Sequence, residues 1–237
     1  MDKKISLKDL VANAVHFGHK TQRWNPKMKP YIYGSRNGMH IIDVKKTAAG
    51  IKKVVDFLNK CVAEQKNILF VGTKQQCKSI LEDIKQSTGA PIVTQKWICG
   101  LLTNFKTVKR RIDFLRQLIE EEETKEIEKY TKKEQGQRRK QREKLEIALG
   151  GVMDMNKTPD VLFVIDCKRD RNAVTEARKL HIPVVALMDT NTDPDLVDYG
   201  IPANDDALKS LTFIMSLVKE VLMGKGAKKK EEKKEEK

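Results

Sequence analysis

No apolar run in this sequence approaches the roughly 20 residues that a membrane-spanning helix requires, so no transmembrane helix is expected. The opening residues, Met1-Asp2-Lys3-Lys4-Ile5-Ser6, lack the apolar core of a secretory signal, and secretion is not expected either. Cys61, Cys77, Cys99 and Cys167 are scattered, and no two of them form CxxC. That removes a zinc knuckle and a dithiol redox motif and leaves four small thiols suited to a reducing compartment. Both phosphate-cradling glycine patterns, GxxxxGK[ST] and GxGxxG, are missing, as is the GxSxG of a nucleophilic serine. Val71-Gly72-Thr73-Lys74 resembles a phosphate loop only faintly. Without further glycines its backbone cannot wrap a nucleotide, although a helix start carrying Lys74 can hold one backbone phosphate of RNA.

Acidic residues are absent from His16 to Ile42, and the stretch ends at Asp43. It holds Lys20, Arg23, Lys27, Lys29 and Arg36, interleaved with Trp24, Tyr31 and Tyr33 and broken by Gly18, Pro26, Pro30, Gly34 and Gly38. A core is not built this way, because so many cations need partners. A surface that meets phosphates is; the competing reading is a solvated basic loop anchored by a few aromatics. The whole chain of 237 residues carries a net charge of +14 with 34% charged residues. Such a balance favours a polyanionic partner, since Lys and Arg displace counterions from phosphates.

Apolar spacing then gives the elements. Leu7, Leu10, Val11, Ala14 and Val15 follow Ser6, a helix cap, and a helix is expected there. Tyr31–Tyr33 and His40–Ile42 flank Gly34–Gly38 as a hairpin. Residues Thr47–Val62 read as an amphipathic helix. Ile68–Val71, Pro91–Val93, Val161–Ile165, Pro183–Met188 and Gly200–Pro202 read as strands, with helices from Cys77, over Ala173–Leu180 and over Ala207–Met223. Unalternated apolar runs between helices indicate a parallel sheet covered on both faces. The expected fold is α/β: a Rossmann-like or flavodoxin-like sheet of about five strands. The segment 103–152 interrupts it. Phe105, Val108, Ile112, Leu115 and Leu118 form a narrow coiled-coil stripe, and Thr131-Lys132-Lys133-Glu134 is a capping box opening a second helix that runs to Leu149. An inserted helical hairpin is expected, packed at its base and wet in its outer part, including Arg138, Arg139, Lys140 and Arg142. The expected division is 1–46 (helix, basic-aromatic arm and hairpin), 47–102 with 153–224 (α/β domain), 103–152 (insertion) and 225–237 (a disordered Lys/Glu tail).

Some residues allow chemistry. Asp166, Asp189, Asp205 and Asp206 fall at or just past strand ends, where carboxylates can bind Mg²⁺, act as acid and base, or simply cap turns; the turn formers Asn191, Asp193 and Pro194 favour capping. His16 and His19 are three apart, but Gly18 separates them and no further ligand is evident, so hydrogen-bonded loop histidines are expected. Trp97 and Phe105 read as core. Lys106, Lys109, Arg110 and Arg111 crowd the first turns of a helix against its dipole, which an external anion would explain.

Taken in order, these motifs resemble, nearly end to end, the bacterial-type family of the second protein of the small ribosomal subunit (ribosomal protein S-two). The resemblance rests on His16-Phe17-Gly18-His19, Arg23-Trp24-Asn25-Pro26-Lys27-Met28, Val71-Gly72-Thr73-Lys74, Trp97 with Gly100, and Leu102-Thr103-Asn104-Phe105. Thr131–Glu134, Asp189-Thr190-Asn191, Ile201-Pro202 and Asn204-Asp205-Asp206 continue it. Cys99 and Lys96 depart from the family's usual Arg-Trp-Leu-Gly-Gly. The resemblance implies a non-catalytic structural role in translation, without cofactor or metal. It implies contacts with small-subunit ribosomal RNA and neighbouring ribosomal proteins, including the large mRNA-binding one, with no membrane contact and no homo-oligomer. The implied setting is the cytoplasmic ribosome or an organellar one. Residues and resemblance together give the candidate RNA-binding set: Lys20, Arg23, Trp24, Asn25, Lys27, Lys29, Arg36, Lys74, Lys96, Asn104, Lys106, Lys109, Arg110 and Arg111. Two other functions stay open at this point, a Mg-dependent enzyme acting on a phosphorylated substrate and a free RNA-binding regulator.

Overall fold

The computed structural model describes residues 6–224; the expected tail lies outside the described residues. Ser6 accepts the amide of Lys8 and opens a short helix, α1 (Leu7–Ala12). The basic stretch that follows is more ordered than a loop. It forms a three-stranded antiparallel sheet of β1 (Phe17–Lys20), β2 (Ile32–Arg36) and β3 (Met39–Ile42), with β3 in the middle. The hairpin between β2 and β3 turns on Asn37 and Gly38, both left-handed (φ 51° and 75°), the conformation of a tight turn that Asn-Gly adopts readily. The expected hairpin is present; β1 is an addition to it.

Asp43 accepts the amide of Lys45 and starts α2 (Val44–Ala63), three residues ahead of the expected helix. The body continues as β4 (Ile68–Val71), α3 (Gln75–Thr88) and β5 (Ile92–Val93). The inserted helices α4 (Phe105–Glu123) and α5 (Lys132–Leu149) come next. They are followed by β6 (Val161–Val164), α6 (Arg171–Lys179), β7 (Val184–Met188), β8 (Tyr199–Pro202) and α7 (Leu208–Met223). β4 to β8 form one parallel sheet in the order β5-β4-β6-β7-β8, so that the chain reverses direction of travel across the sheet between β4 and β6. This is the flavodoxin-like order, and its ligand crevice lies beyond the carboxyl ends of β4 and β6.

Alternation along each strand divides the core in two. Phe70, Phe163, Val185 and Ile201 face α2, α3 and α7, and the rings of Phe70 and Phe163 sit 5.1 Å apart. Leu69, Val71, Leu162, Val164 and Ala186 face α6 and the base of the insertion, where Trp97, Leu101, Leu102, Ile112 and Leu149 close over them. Every residue of β4, β6 and β7 is buried, which is why these runs do not alternate in the sequence. α2 lies so close to β8 that a Cβ on Gly50 would stand 2.8 Å from the Gly200 carbonyl oxygen.

α4 and α5 lie against each other, and the capping box of α5 is complete: Thr131 accepts the amide of Glu134, whose carboxylate accepts the amide of Thr131. With 19 residues in α4, it reaches about 28 Å at 1.5 Å per residue. On the α4 side Val108, Ile112, Leu115 and Leu118 are buried as their spacing predicts. On the α5 side only Leu149 is buried. The outer seam carries ion pairs, while Arg139 and Lys140 are exposed as expected. Arg138 pairs with the buried Glu121 and lies 3.9 Å from the centre of the Tyr130 ring, while Arg142 pairs with Glu122 at 2.9 Å. Arg139, still exposed, also approaches Glu122 at 3.5 Å, so three of the four cations expected in solvent make ion pairs and two of these, Arg138 and Arg142, are half-buried.

Candidate nucleic-acid interface

The basic arm is stitched to the carboxyl edge of the sheet through backbone groups. The Asn25 amide donates to the Thr190 carbonyl at 2.7 Å, and the His19 amide donates to Thr190 Oγ1 at 2.9 Å. Farther along, the Asn204 amide donates to the Val15 carbonyl at 2.9 Å, and Asn204 Nδ2 donates to the Ala14 carbonyl at 3.2 Å. A Cβ on Gly18 would run into Thr190, so the approach depends on that glycine. Lys27 reaches from the arm to Asp193 (3.0 Å) and Asp195 (2.6 Å), and these carboxylates hold its ammonium pKa above the ordinary value. Trp24 is half-buried with its ring 5.1 Å from that of His40, and Asn25 uses its side chain to accept the Lys27 amide. Tyr33 is 81% exposed, whereas Tyr31 is half-buried.

Beneath the arm, the four strand-end aspartates meet around Lys74 and His19. Lys74 Nζ lies 2.7 Å from Asp206, 2.8 Å from Asp205 and 2.9 Å from Asp166. Burial alone would depress the lysine, but the three carboxylates, Asp205 foremost, raise it instead. His19 Nδ1 lies 3.0 Å from Asp189 and its Nε2 3.4 Å from Asp206; the bond to Asp189 raises its pKa against the effect of burial. Burial, with Asp189 and Asp166 beside it, pushes Asp205 up to about 8. Asp166 does cap its turn, accepting the amides of Lys168 and Arg169 with one oxygen while the other meets Lys74. Lys74 is therefore a buried counterion of the sheet edge, 9% exposed, with its ammonium engaged by three carboxylates. His19, Asp189, Asp205 and Asp206 bring one ligand atom each to within 4.8 Å of one another, a donor set that a divalent cation could share. His16 is not among them. The three aspartates are expected together at the strand ends; what the sequence does not signal is His19, which lies about 170 to 187 residues before them.

The remaining predicted residues stand on two surfaces. On the arm, Lys20, Arg23, Lys29 and Arg36 are exposed and make no ion pair with another described residue. On the second surface, Lys96 in the loop before the insertion and Asn104, Lys106, Arg110 and Arg111 at the start of α4 are exposed, the three cations of the helix likewise unpaired among the described residues. Lys109 differs. It is half-buried and donates to Asn156 Oδ1 at 2.9 Å.

One residue behind this second surface escapes sequence reading. Glu176, on α6, is buried and accepts from the Trp97 indole and from the amides of Gly100, Leu102 and Thr103. Burial would raise this carboxyl, yet these bonds bring it below its ordinary value. In the sequence it looks like a polar residue on a surface helix.

Against known proteins, residues 10–224 match the family model described as ribosomal protein S2. The chain is 50% identical over 219 residues to the small ribosomal subunit protein uS2 of Petrotoga mobilis, covering 92% of this chain and 76% of that one. It is 49% identical to the protein of the same name from Geotalea uraniireducens, covering 94% and 87%, and 46% identical to that of Nitratiruptor sp., covering 96% and 85%.

Proposed function

The chain belongs to the ribosomal protein S2 family, and we propose that it is a structural constituent of the small ribosomal subunit which meets ribosomal RNA through the arm and the start of α4. The role is not catalytic. The carboxylates that a Mg-dependent enzyme would use are engaged with Lys74 and His19, and nothing favours that reading or a free regulator. No helix among the described residues is long and apolar enough to cross a membrane.

The observation that carries the RNA contact is a separation of charge. Acidic groups at the carboxyl edge of the sheet are engaged by internal partners, while Lys20, Arg23, Lys29 and Arg36 on the arm, and Lys106, Arg110 and Arg111 on α4, are exposed and make no ion pair among the described residues. Unpaired cations on a rigid scaffold fix register on a phosphate backbone. Trp24 and Asn25 contribute by holding the arm, and Lys27 by tying it to the body. Neighbouring ribosomal proteins, including the large mRNA-binding one, are the further partners of this reading.

Binding of the full chain to small-subunit ribosomal RNA across a salt series tests it. With about seven phosphate contacts, affinity falls by about 10³-fold or more between 50 and 200 mM salt. A salt-independent affinity, or none, contradicts the reading.

A further inference from the structure

Glu176 is a buried anion that no cation among the described residues pairs with. Its relative exposure is 8%. Five donors from one loop converge on it: Trp97 Nε1 at 2.9 Å, the Gly100 amide at 2.8 Å, the Leu102 and Thr103 amides at 3.1 Å each, and Thr103 Oγ1 at 3.1 Å. Gly100 takes a left-handed φ of 90°, which lets successive amides turn toward one point. An apolar residue at position 176 would fill the same space at lower desolvation cost, but it would not dictate the path of the loop. A carboxylate bonded to three separate backbone amides does dictate it.

What that loop leads into gives the carboxylate its purpose. Thr103 is the last residue held, Asn104 caps α4, and α4 starts at Phe105. Lys106, Arg110 and Arg111 follow within two turns, all exposed. Productive contact constellations need placement to within about 0.5 Å, which loops rarely supply unaided. We propose that Glu176 is the positioning residue for the RNA-facing end of α4, holding loop 97–103 as a rigid socket from which Lys106, Arg110 and Arg111 are presented. This rests on the reading of α4 as an RNA surface, and it adds a residue that touches no RNA itself.

The test uses the full chain and small-subunit ribosomal RNA, with affinity measured over a salt series for the wild type, E176Q, the triple variant K106A/R110A/R111A, and the two combined. A glutamine at 176 turns a donor toward the loop amides and keeps a single acceptor oxygen. The triple variant is expected to lower the salt slope by about 3, one per cation removed. E176Q is expected to lose about tenfold in affinity near 150 mM salt while still unfolding cooperatively. Combined with the triple variant it is expected to add less than about twofold, because the groups it positions are gone. Wild-type affinity in E176Q, or an equal tenfold loss on top of the triple variant, overturns the inference while leaving the α4 surface standing. A triple variant that binds like the wild type removes the α4 surface and the inference with it. If E176Q does not fold, T103A, which removes one donor, is expected to lose about twofold to threefold with the same dependence on the three cations, and unchanged affinity overturns the inference. In a Trp24→Phe background Trp97 is the sole tryptophan, and E176Q is expected to shift its emission to the red; an unmoved spectrum also overturns the inference.

Discussion

Lys74 Nζ and the carboxylate of Asp205 lie 2.8 Å apart at the carboxyl edge of the parallel sheet, the lysine nearly buried and the aspartate wholly so. The pair joins the turn after β4 to the turn after β8, two points 131 residues apart in the chain. Where a nucleotide-binding relative of this architecture would open a crevice for phosphate, this protein places its own ammonium and closes it with its own carboxylates. The edge becomes a seat for the basic arm.

Removing Lys74 should therefore damage stability before it damages RNA binding. Lys74→Met leaves Asp166 and Asp205 without their cation, and breaking a buried pair from one side costs about 3–5 kcal/mol. Urea unfolding checks the loss. RNA affinity, corrected for the folded fraction, is expected to stay within about twofold of the wild type. A stable variant with tenfold weaker RNA binding would restore Lys74 as a phosphate ligand.

The hairpin offers a contrast between two neighbouring cations. Arg138→Ala strips the cation from Glu121, which is 7% exposed and keeps only its bond from Gln117 Nε2, and is expected to cost about 1–3 kcal/mol. Lys140→Ala touches an exposed position and should stay within about 0.5 kcal/mol. Hydrogen exchange of the α5 amides reads the difference. Equal protection in both variants would mean that the ionic seam does not hold the helices together.

Gly50 is needed for packing. Its missing Cβ lets α2 lie against Gly200 and Pro202. Gly50→Ala gains helix propensity but overpacks this contact, and is expected to destabilise the protein by about 1–3 kcal/mol. A thermal midpoint at or above that of the wild type would show that the helix can move aside.

Acid should release Glu176. Burial opposes its charge, but the bonds from Trp97, Gly100, Thr103 and Leu102 bring its folded pKa below the ordinary 4.5. In the unfolded chain it takes up a proton first, so its stabilising contribution is fully present above about pH 5 and is lost as pH falls through the lower folded value. The stability difference between wild type and E176Q should shrink as pH falls below about 5. A difference that is constant across that range would mean that the glutamate charge does not matter.

The body was legible because its strands are buried on both faces. Ile68–Val71 and Val161–Val164 are unbroken apolar runs, and set between amphipathic helices they point to a covered parallel sheet. The capping box at Thr131 was legible because all its members are local. β1 was not: Phe17-Gly18-His19-Lys20 has no β-branched residue and carries a glycine, and it is a strand only because β3 pairs with it. The inward turn of Lys74, Arg138 and Arg142 was hidden for a related reason, since a charged side chain reveals its partner only when the fold supplies one. Glu176 looked like any acid on a helix, and its five donors lie more than 70 residues earlier. Local pattern thus exposed the scaffold, while the pairings that decide which cations face outward belong to the tertiary structure.

Occupancy of small subunits tests the central claim most directly. Full-length wild type and R23E, expressed at equal level, are followed through sucrose gradients at moderate salt, with the ratio of this protein to small-subunit ribosomal RNA measured in the subunit peak. Wild type near one copy per subunit, with R23E reduced severalfold while remaining folded, is the predicted result. Wild type that stays at the top of the gradient as free protein, or R23E at full occupancy, would contradict it.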